Sequence, residues 1–413
     1  MLVTRRLLGP WAVLAALGAL LAGCGGSTSL LGRSSSHRQP STPILGGAPT
    51  SSPGSEQLTL PSLSTKNTTR IPGADPIADA ADVALAVYPS AVPGTHPTAV
   101  VLAPTSDWQA ALAASALMAP PIRAPILFSD GTSLPPVSAQ ALNLLAPTGA
   151  GRLQGAQVIR IGDVASPAGR RAAVVNGSDP YTLAANIDKF IATIDGRPSI
   201  NVLIASGTDP AYAMPAAGWA AESGEPMLFV DGATIPAATR QALLAHQKPH
   251  IYVLGPPSVI PDSVVTQLQR YGSVKRVGAV DPAANSVAFA RYRDPPCAYA
   301  QPCAHVPGSF GWAIDSPGHG YVLLNASRPL DAAAAAPLSG SGDYGPALLD
   351  DNPTTLPSSV LNYFLNYATP GYNAEGPTAA SFNHGWVIGG VGAISAKVQA
   401  EMDQLLEVVP VQK

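Results

Sequence analysis

"APILFSDGTSLP" (124–135) opens Ala124-Pro125, runs through Ile126, Leu127 and Phe128 to Asp130, and turns into Leu134-Pro135. A similar stretch returns as "EPMLFVDGATIP" (225–236) and again as "GPALLDDNPTTLP" (345–357). Each reads as a short strand, apolar on both faces, that ends on an acid and a turn. Its prolines, Pro125, Pro226 and Pro346, stand 101 and 120 residues apart. Recurrence of one pattern at a long spacing is the mark of an internal repeat.

Other landmarks recur around it. "RIPGADPIADAADVALAV", "VVNGSDPYTLAANIDKF" and "RVGAVDPAANSVAFARY" each place an Asp-Pro turn before a helical pattern, with Asp75, Asp179 and Asp281 spaced by 104 and 102 residues. An acid followed by proline is an N-cap with proline at the first helical position, which is the structural reading of all three. A β-rich run then leads into an Ala-rich helix in "TAVVLAPTSDWQAALAASAL", "INVLIASGTDPAYAMPAAGWA" and "YVLLNASRPLDAAAAAPL". A last apolar strand follows in "QVIRIGD", "IYVLGPP" and "GWVIGGVGAIS".

Each unit of roughly a hundred residues therefore alternates helix and strand three times, and a unit of that size is expected to own a core. Alternation of this kind predicts parallel strands with helical crossovers. Strands apolar on both faces predict a sheet covered by helices on both sides. The fold class is thus α/β, three tandem repeats, each a mostly parallel sheet flanked by helices. The third unit is longer: 65 residues separate its Asp-Pro acid from its motif proline, against 50 and 47 in the others. The excess falls in "RDPPCAYAQPCAHVPGSFGW", where Cys297 and Cys303 are most simply a small-loop disulfide outside the cytoplasm.

At the amino end, Arg5 and Arg6 precede an apolar run that ends Leu21-Ala22-Gly23-Cys24. This reads as an export signal rather than a permanent span, and its end resembles a bacterial lipobox. The resemblance implies cleavage before Cys24 and acylation of that cysteine. The alternative is an ordinary signal peptide with a chance cysteine. No second stretch is long and apolar enough to cross a bilayer. The expected organisation is a signal peptide at 1–23, a flexible Ser/Gly/Pro tether at 24–66, and repeats at 67–173, 174–275 and 276–409.

Charged residues are 12% of the chain, with 23 Lys and Arg against 26 Asp and Glu. Loss of Arg5 and Arg6 with the signal makes the balance more acidic. Nucleic acid, which needs a basic footprint, is excluded as an expected partner.

The order "RIPGADP", "SDWQAALAASAL", "APILFSDGTSLP" and a strand ending "IGD" or "IGG" resembles the cell wall-binding repeat 2 family, over about residues 66–409. The resemblance implies three similar modules in a pseudo-threefold arrangement that bind wall glycopolymer non-covalently. This chain departs from the family in detail. Pro76, Pro180 and Pro282 stand where the family usually has Arg. The family's helical Asp is present only as Asp331, with Ala110 and Tyr212 at the matching positions. The Gly-Gly of the last strand survives only as Gly389-Gly390.

Candidate polymer-binding residues follow from chemistry. Asp130, Asp231 and Asp351 end their strands, where ligands meet parallel sheets; the alternative is a turn acid that accepts local backbone N–H groups. Arg152, Arg160, Arg170 and Arg171, together with Lys275 and Arg276, could clamp an anion; the alternative is solvated surface. Arg291 and Arg293 follow in the third unit. Catalytic signatures are missing: the sequence has neither a G-x-S-x-G elbow nor H-E-x-x-H, and no cofactor or metal set is expected. The reading is an exported, lipid-anchored, non-catalytic protein on the outer face of the cytoplasmic membrane, with glycopolymer or peptidoglycan as partner. Its rivals are an envelope enzyme or modifier of a peptidoglycan hydrolase, and a small-solute-binding lipoprotein.

Overall fold

The computed structural model describes residues 63–295, 308–373 and 375–411. The chain begins with β1 (Leu63–Ser64), β2 (Thr68–Ile71), α1 (Pro76–Val87), β3 (Val100–Pro104), α2 (Trp108–Ala114), β4 (Ile126–Ser129), α3 (Pro136–Leu145), β5 (Val158–Ile161) and β6 (Ala172–Val175). It continues with α4 (Pro180–Asp195), β7 (Asn201–Ser206), α5 (Pro210–Ser223), β8 (Met227–Val230), α6 (Ala237–Ala245), β9 (His250–Leu254), α7 (Asp262–Leu268) and β10 (Ser273–Val277). The third repeat supplies α8 (Pro282–Arg291), β11 (Gly320–Asn325), α9 (Pro329–Ser339), β12 (Ala347–Asp350), α10 (Ser358–Asn366), β13 (Gly371–Tyr372), β14 (His384–Ile388), α11 (Ala396–Leu405) and β15 (Val409–Pro410). Cys24, Cys297, Cys303 and the signal peptide lie outside the described residues.

The Asp-Pro turns are N-caps. Asp75 accepts from the N–H groups of Ile77 and Ala78 at 3.0 and 2.9 Å, Asp179 from Thr182 at 2.9 Å, and Asp281 from Ala284 at 2.7 Å. Each satisfies a helix N-terminus that would otherwise leave donors unpaired.

Twelve of the strands form three sheets of one topology, in the orders β4-β3-β5-β6, β8-β7-β9-β10 and β12-β11-β14-β2, and β13 pairs with β15 in a separate two-stranded sheet. Every pairing within those orders is parallel. Strands β3, β4, β7, β8, β11 and β12 are buried along their whole length. The predicted α/β class is the one the structure has.

Sequence repeat and sheet are offset by one strand. The residues that open the second and third repeats, Val174 and Arg276, lie on β6 and β10, which complete the sheets before them. The third sheet is completed by the start of the chain: β2 runs parallel to β14, Thr68 opposite Gly385 and Ile71 opposite Ile388. Strand β1 then covers β2 from outside, antiparallel. Residues 63–66, assigned to the tether by composition, thus enter the fold, because the edge of β2 offers backbone groups that a further strand can pair.

The interior also differs from the expectation of one core per repeat. One apolar cluster runs from Ile71 to Leu406 and takes residues from all three repeats. At its centre lie the Ala-rich helices α2, α5 and α9. Residues 213–221 of α5 and 331–339 of α9 are buried without a break. Small side chains let these helices approach closely; a Cβ added to Gly218 would stand 2.7 Å from the Ser339 hydroxyl oxygen. Two smaller clusters lie on the far faces of the first and second sheets.

The extra segment of the third repeat contributes to this interior. Phe310 stacks on Tyr252 with centroids 3.6 Å apart, and Trp312 meets Trp219 edge-on at 5.2 Å. Asp294 accepts from Lys275 at 2.5 Å and from the hydroxyls of Tyr252 and Tyr292. The segment's flanks therefore fasten the third repeat to the second.

Candidate ligand-binding face

Parallel sheets present their strand carboxyl ends to ligands, and the three acids of the opening motif do stand there. Asp130 and Asp231 are exposed and close two-way backbone bridges to Ser133 and Thr234. Asp351 is exposed too, but the strand ends one residue earlier on Asp350, which is buried. Burial pushes the Asp350 carboxyl up to about 6; one oxygen accepts the Asn352 N–H at 3.0 Å.

The basic candidates divide by what they touch. Arg160 on β5 donates to the carbonyls of Val164 and Ala165, its own loop. Arg276 on β10 donates to the carbonyls of Gly255 and Ile260, each at 2.7 Å, and to Asp262 at 2.9 Å. Arg70 on β2 does the same work in the third sheet, reaching the carbonyl of Gly389 at 2.7 Å and Gln399 at 2.8 Å. In every repeat one arginine staples the turn after the third strand. Lys275 is engaged by Asp294. Arg152 donates to the carbonyl of Ile194 at 2.7 Å and Arg171 to that of Gln154 at 2.5 Å. Arg170 is half-buried on the loop before β6.

The residues that do converge lie where α9 meets α1, at the boundary of the third repeat with the first. Arg328 is the N-cap of α9 and Asp331 lies in its first turn. The Arg328 guanidinium stands 2.6 Å (Nε) from Asp331 Oδ2 and 2.8 Å (Nη2) from Asp79 Oδ2 of α1. Both acids are fully buried, whereas the arginine side chain is 21% exposed. Gly389 belongs to the same group. It sits at φ +91, and an added Cβ would come 2.8 Å from Ala393 Cβ and 3.4 Å from Arg328 Nη1. Asp331 and Gly389-Gly390, which carry part of the resemblance read from the sequence, thus meet at one boundary.

Electrostatics there are lopsided. Burial raises Asp79 well above the carboxylate range, and the neighbouring Asp331 raises it further, against the pull of Arg328. Burial also pushes Asp331 up to about 6. Burial works against the Arg328 charge, but the two acids outweigh it and hold its pKa above the ordinary value. Two buried acids share one guanidinium, and burial favours the protonated form of each. Nε and Nη2 face the two acids, and the part of the guanidinium left to solvent is held rigid from behind, a geometry suited to a hydroxyl, carboxylate or phosphate oxygen.

The matching boundaries hold other residues. Between the first and second repeats, Ala110 and Leu183 stand where Asp331 and Asp79 would be, with Asp107 as the cap. Between the second and third, Tyr212 and Asn285 stand there; the Tyr212 hydroxyl donates to the carbonyl of Val280 at 2.9 Å. Asp79 and Arg328 were not among the sequence candidates. Their signal was available: an acid inside the apolar helix "PIADAADVALAV" is costly to bury unless paired. Among the described residues, no helix is long and apolar enough to cross a membrane and no His, Cys, Asp and Glu cluster is arranged to hold a metal.

The architecture is that of a three-repeat α/β protein with parallel sheets. Residues 175–265, almost the whole second repeat, match the family model of cell wall binding domain 2 (CWB2), so the resemblance read from the sequence is borne out. Among solved structures, the chain is similar to Cwp8 from Clostridium difficile, with a TM-score of 0.61 and 16% identity over 83% of this chain and 52% of that one. It is similar to Cwp6 from Clostridium difficile, with a TM-score of 0.62 and 14% identity over 85% and 51%. The chain therefore spans about half the length of each. Among curated proteins, none matches the sequence.

Proposed function

We propose that this is a non-catalytic surface protein that holds wall glycopolymer through its three repeats and is tied to the membrane by lipid on Cys24. The match of residues 175–265 to cell wall binding domain 2 carries the first part. The boundary of the third and first repeats is the contact we favour, because Arg328 offers fixed donors at the carboxyl ends of the third sheet. Its neighbours Gly389 and Gly390 leave backbone without side chains beside that guanidinium. The lipid rests on the lipobox-like "LAGC" at 21–24. Two acyl chains would hold the protein stably at a membrane surface.

Sedimentation with purified wall sacculi tests the reading. Retention that disappears when glycopolymer is stripped supports it, and retention that survives stripping removes glycopolymer as the ligand. Labelling with a radioactive fatty acid should mark the wild-type protein and not Cys24→Ala.

A further inference from the structure

A second feature of the third repeat is unrelated to the boundary group. A cavity of about 510 Å³ opens between α8 and α10, lined by Arg291, Tyr292, Ser359, Asn362, Tyr363 and Tyr367 among others. Three phenol rings stand beside an arginine, an amide and a hydroxyl. A pyranose presents complementary surfaces, a C–H face and a rim of hydroxyl groups, and pockets for small ligands combine apolar walls with a few placed polar groups in this way.

The walls are held in place. The Arg291 Nε donates to Asp315 at 2.7 Å, and its guanidinium carbon lies 3.5 Å from the centre of the Tyr367 ring. Tyr363 is buried and donates to the carbonyl of Ile314 at 3.1 Å; Tyr292 donates to Asp294 at 2.9 Å. By contrast, the side chains of Ser359 and Asn362 make no hydrogen bond among the described residues, and Tyr367 remains 39% exposed. The lining is not a by-product of the fold. The matching groove of the second repeat, between α4 and α6, has about 570 Å³ but is lined by Ala185, Ala192, Ala238, Ala242 and Ala245 and holds no Tyr, Phe or Trp; its aromatic ring is the imidazole of His246, bonded to Asp188.

We propose that the α8–α10 cavity is a saccharide pocket that takes one pyranose unit. The sugar ring packs against Tyr292 and Tyr367, its hydroxyls bond Asn362 and Ser359, and an anionic substituent on it meets Arg291. The ligand class rests on the wall-binding reading above; the location does not, since none of these residues belongs to the boundary group.

Saturation-transfer NMR on the mature protein, with methyl glucopyranoside, methyl N-acetylglucosaminide and glucose 1-phosphate as separate probes, tests it. The expected result is transfer to pyranose ring protons with at least one probe, and binding weakened roughly ten-fold in both Tyr367→Ala and Asn362→Ala, the size of loss typical of a contact anchor. Asn362→Ala leaves the Arg291–Tyr367 stack alone, so its loss cannot be charged to a collapsed wall. No transfer with any probe, or equal transfer in wild type and both variants, overturns the pocket. Sedimentation with sacculi in parallel separates the two readings. Retention without sugar transfer sinks the pocket and spares wall binding; sugar transfer without retention does the reverse.

Discussion

Arg328, at the start of α9, holds Asp79 of α1 at 2.8 Å across 249 residues of chain. That contact joins the last repeat to the first, and it does so with a charge pair whose acid is entirely buried. A buried pair of this kind adds little net stability, but breaking it from one side strands a charge.

Arg328→Met should therefore cost about 3–5 kcal/mol at pH 8, because Asp79 and Asp331 lose their common partner. The loss should shrink as the pH falls. Both acids have folded pKa values above their unfolded ones, so protonation favours the native state. Asp79→Asn should cost less than Arg328→Met, since burial already favours the neutral acid and the amide oxygen still accepts from Arg328. Urea unfolding across pH checks both.

Glu225 should dominate another part of the pH profile. It is fully buried, and burial pushes it up to about 7 against hydrogen bonds from Asn201 and Trp219. Its folded pKa lies above the unfolded value of 4.5, so its stabilisation is complete below that pH and is lost as the pH climbs through about 7. Glu225→Gln, with the Asn201 amide turned to present its oxygen, should flatten this slope. Above pH 8 the variant should be the more stable by up to about 3 kcal/mol. Guanidinium unfolding curves for the two proteins that stay parallel from pH 4 to 9 would count against it.

At the centre of the molecule, Gly218→Val should cost about 1–3 kcal/mol by overpacking the contact of α5 with α9. A Cβ there already meets Ser339. Gly218→Val combined with Ser339→Ala should recover part of the loss, because the obstructing atom is the serine hydroxyl. Thermal melts of the single and double variants measure this.

The closing strand can be removed and returned. A chain that begins at Gly73 lacks β2, leaving the edge of β14 open and the carbonyl of Gly389 without its Arg70 donor. It should gain fast amide exchange along His384–Ile388 and a tendency to self-associate through that edge. A synthetic peptide covering 63–72 should restore slow exchange, while the same peptide with Arg70→Ala should restore it poorly. Exchange unaltered by the truncation would mean that β2 is not structurally required.

Local chemistry carried much of the architecture. An acid before proline dictated where α1, α4 and α8 begin, because an N-cap is satisfied within one turn of helix. Runs such as "VVLA" and "VLIA", apolar on both faces, required helices on both sides of each sheet. What such patterns do not contain is the choice of partner. Val174, Arg276 and Arg70 begin matching stretches of sequence, yet they complete the sheets of the first, second and third repeats, the last of these reached around the whole chain. The same holds for charge. Arg160 and Arg276 resemble anion-binding residues in sequence, and packing turns them onto loop carbonyls, whereas Asp79 looks like one more helix residue until α9 brings Arg328 against it. Capping and periodicity are settled over a few residues. Which faces meet is settled only when the three Ala-rich helices pack, since burial of that shared interior is a property of the assembled repeats and not of any one of them.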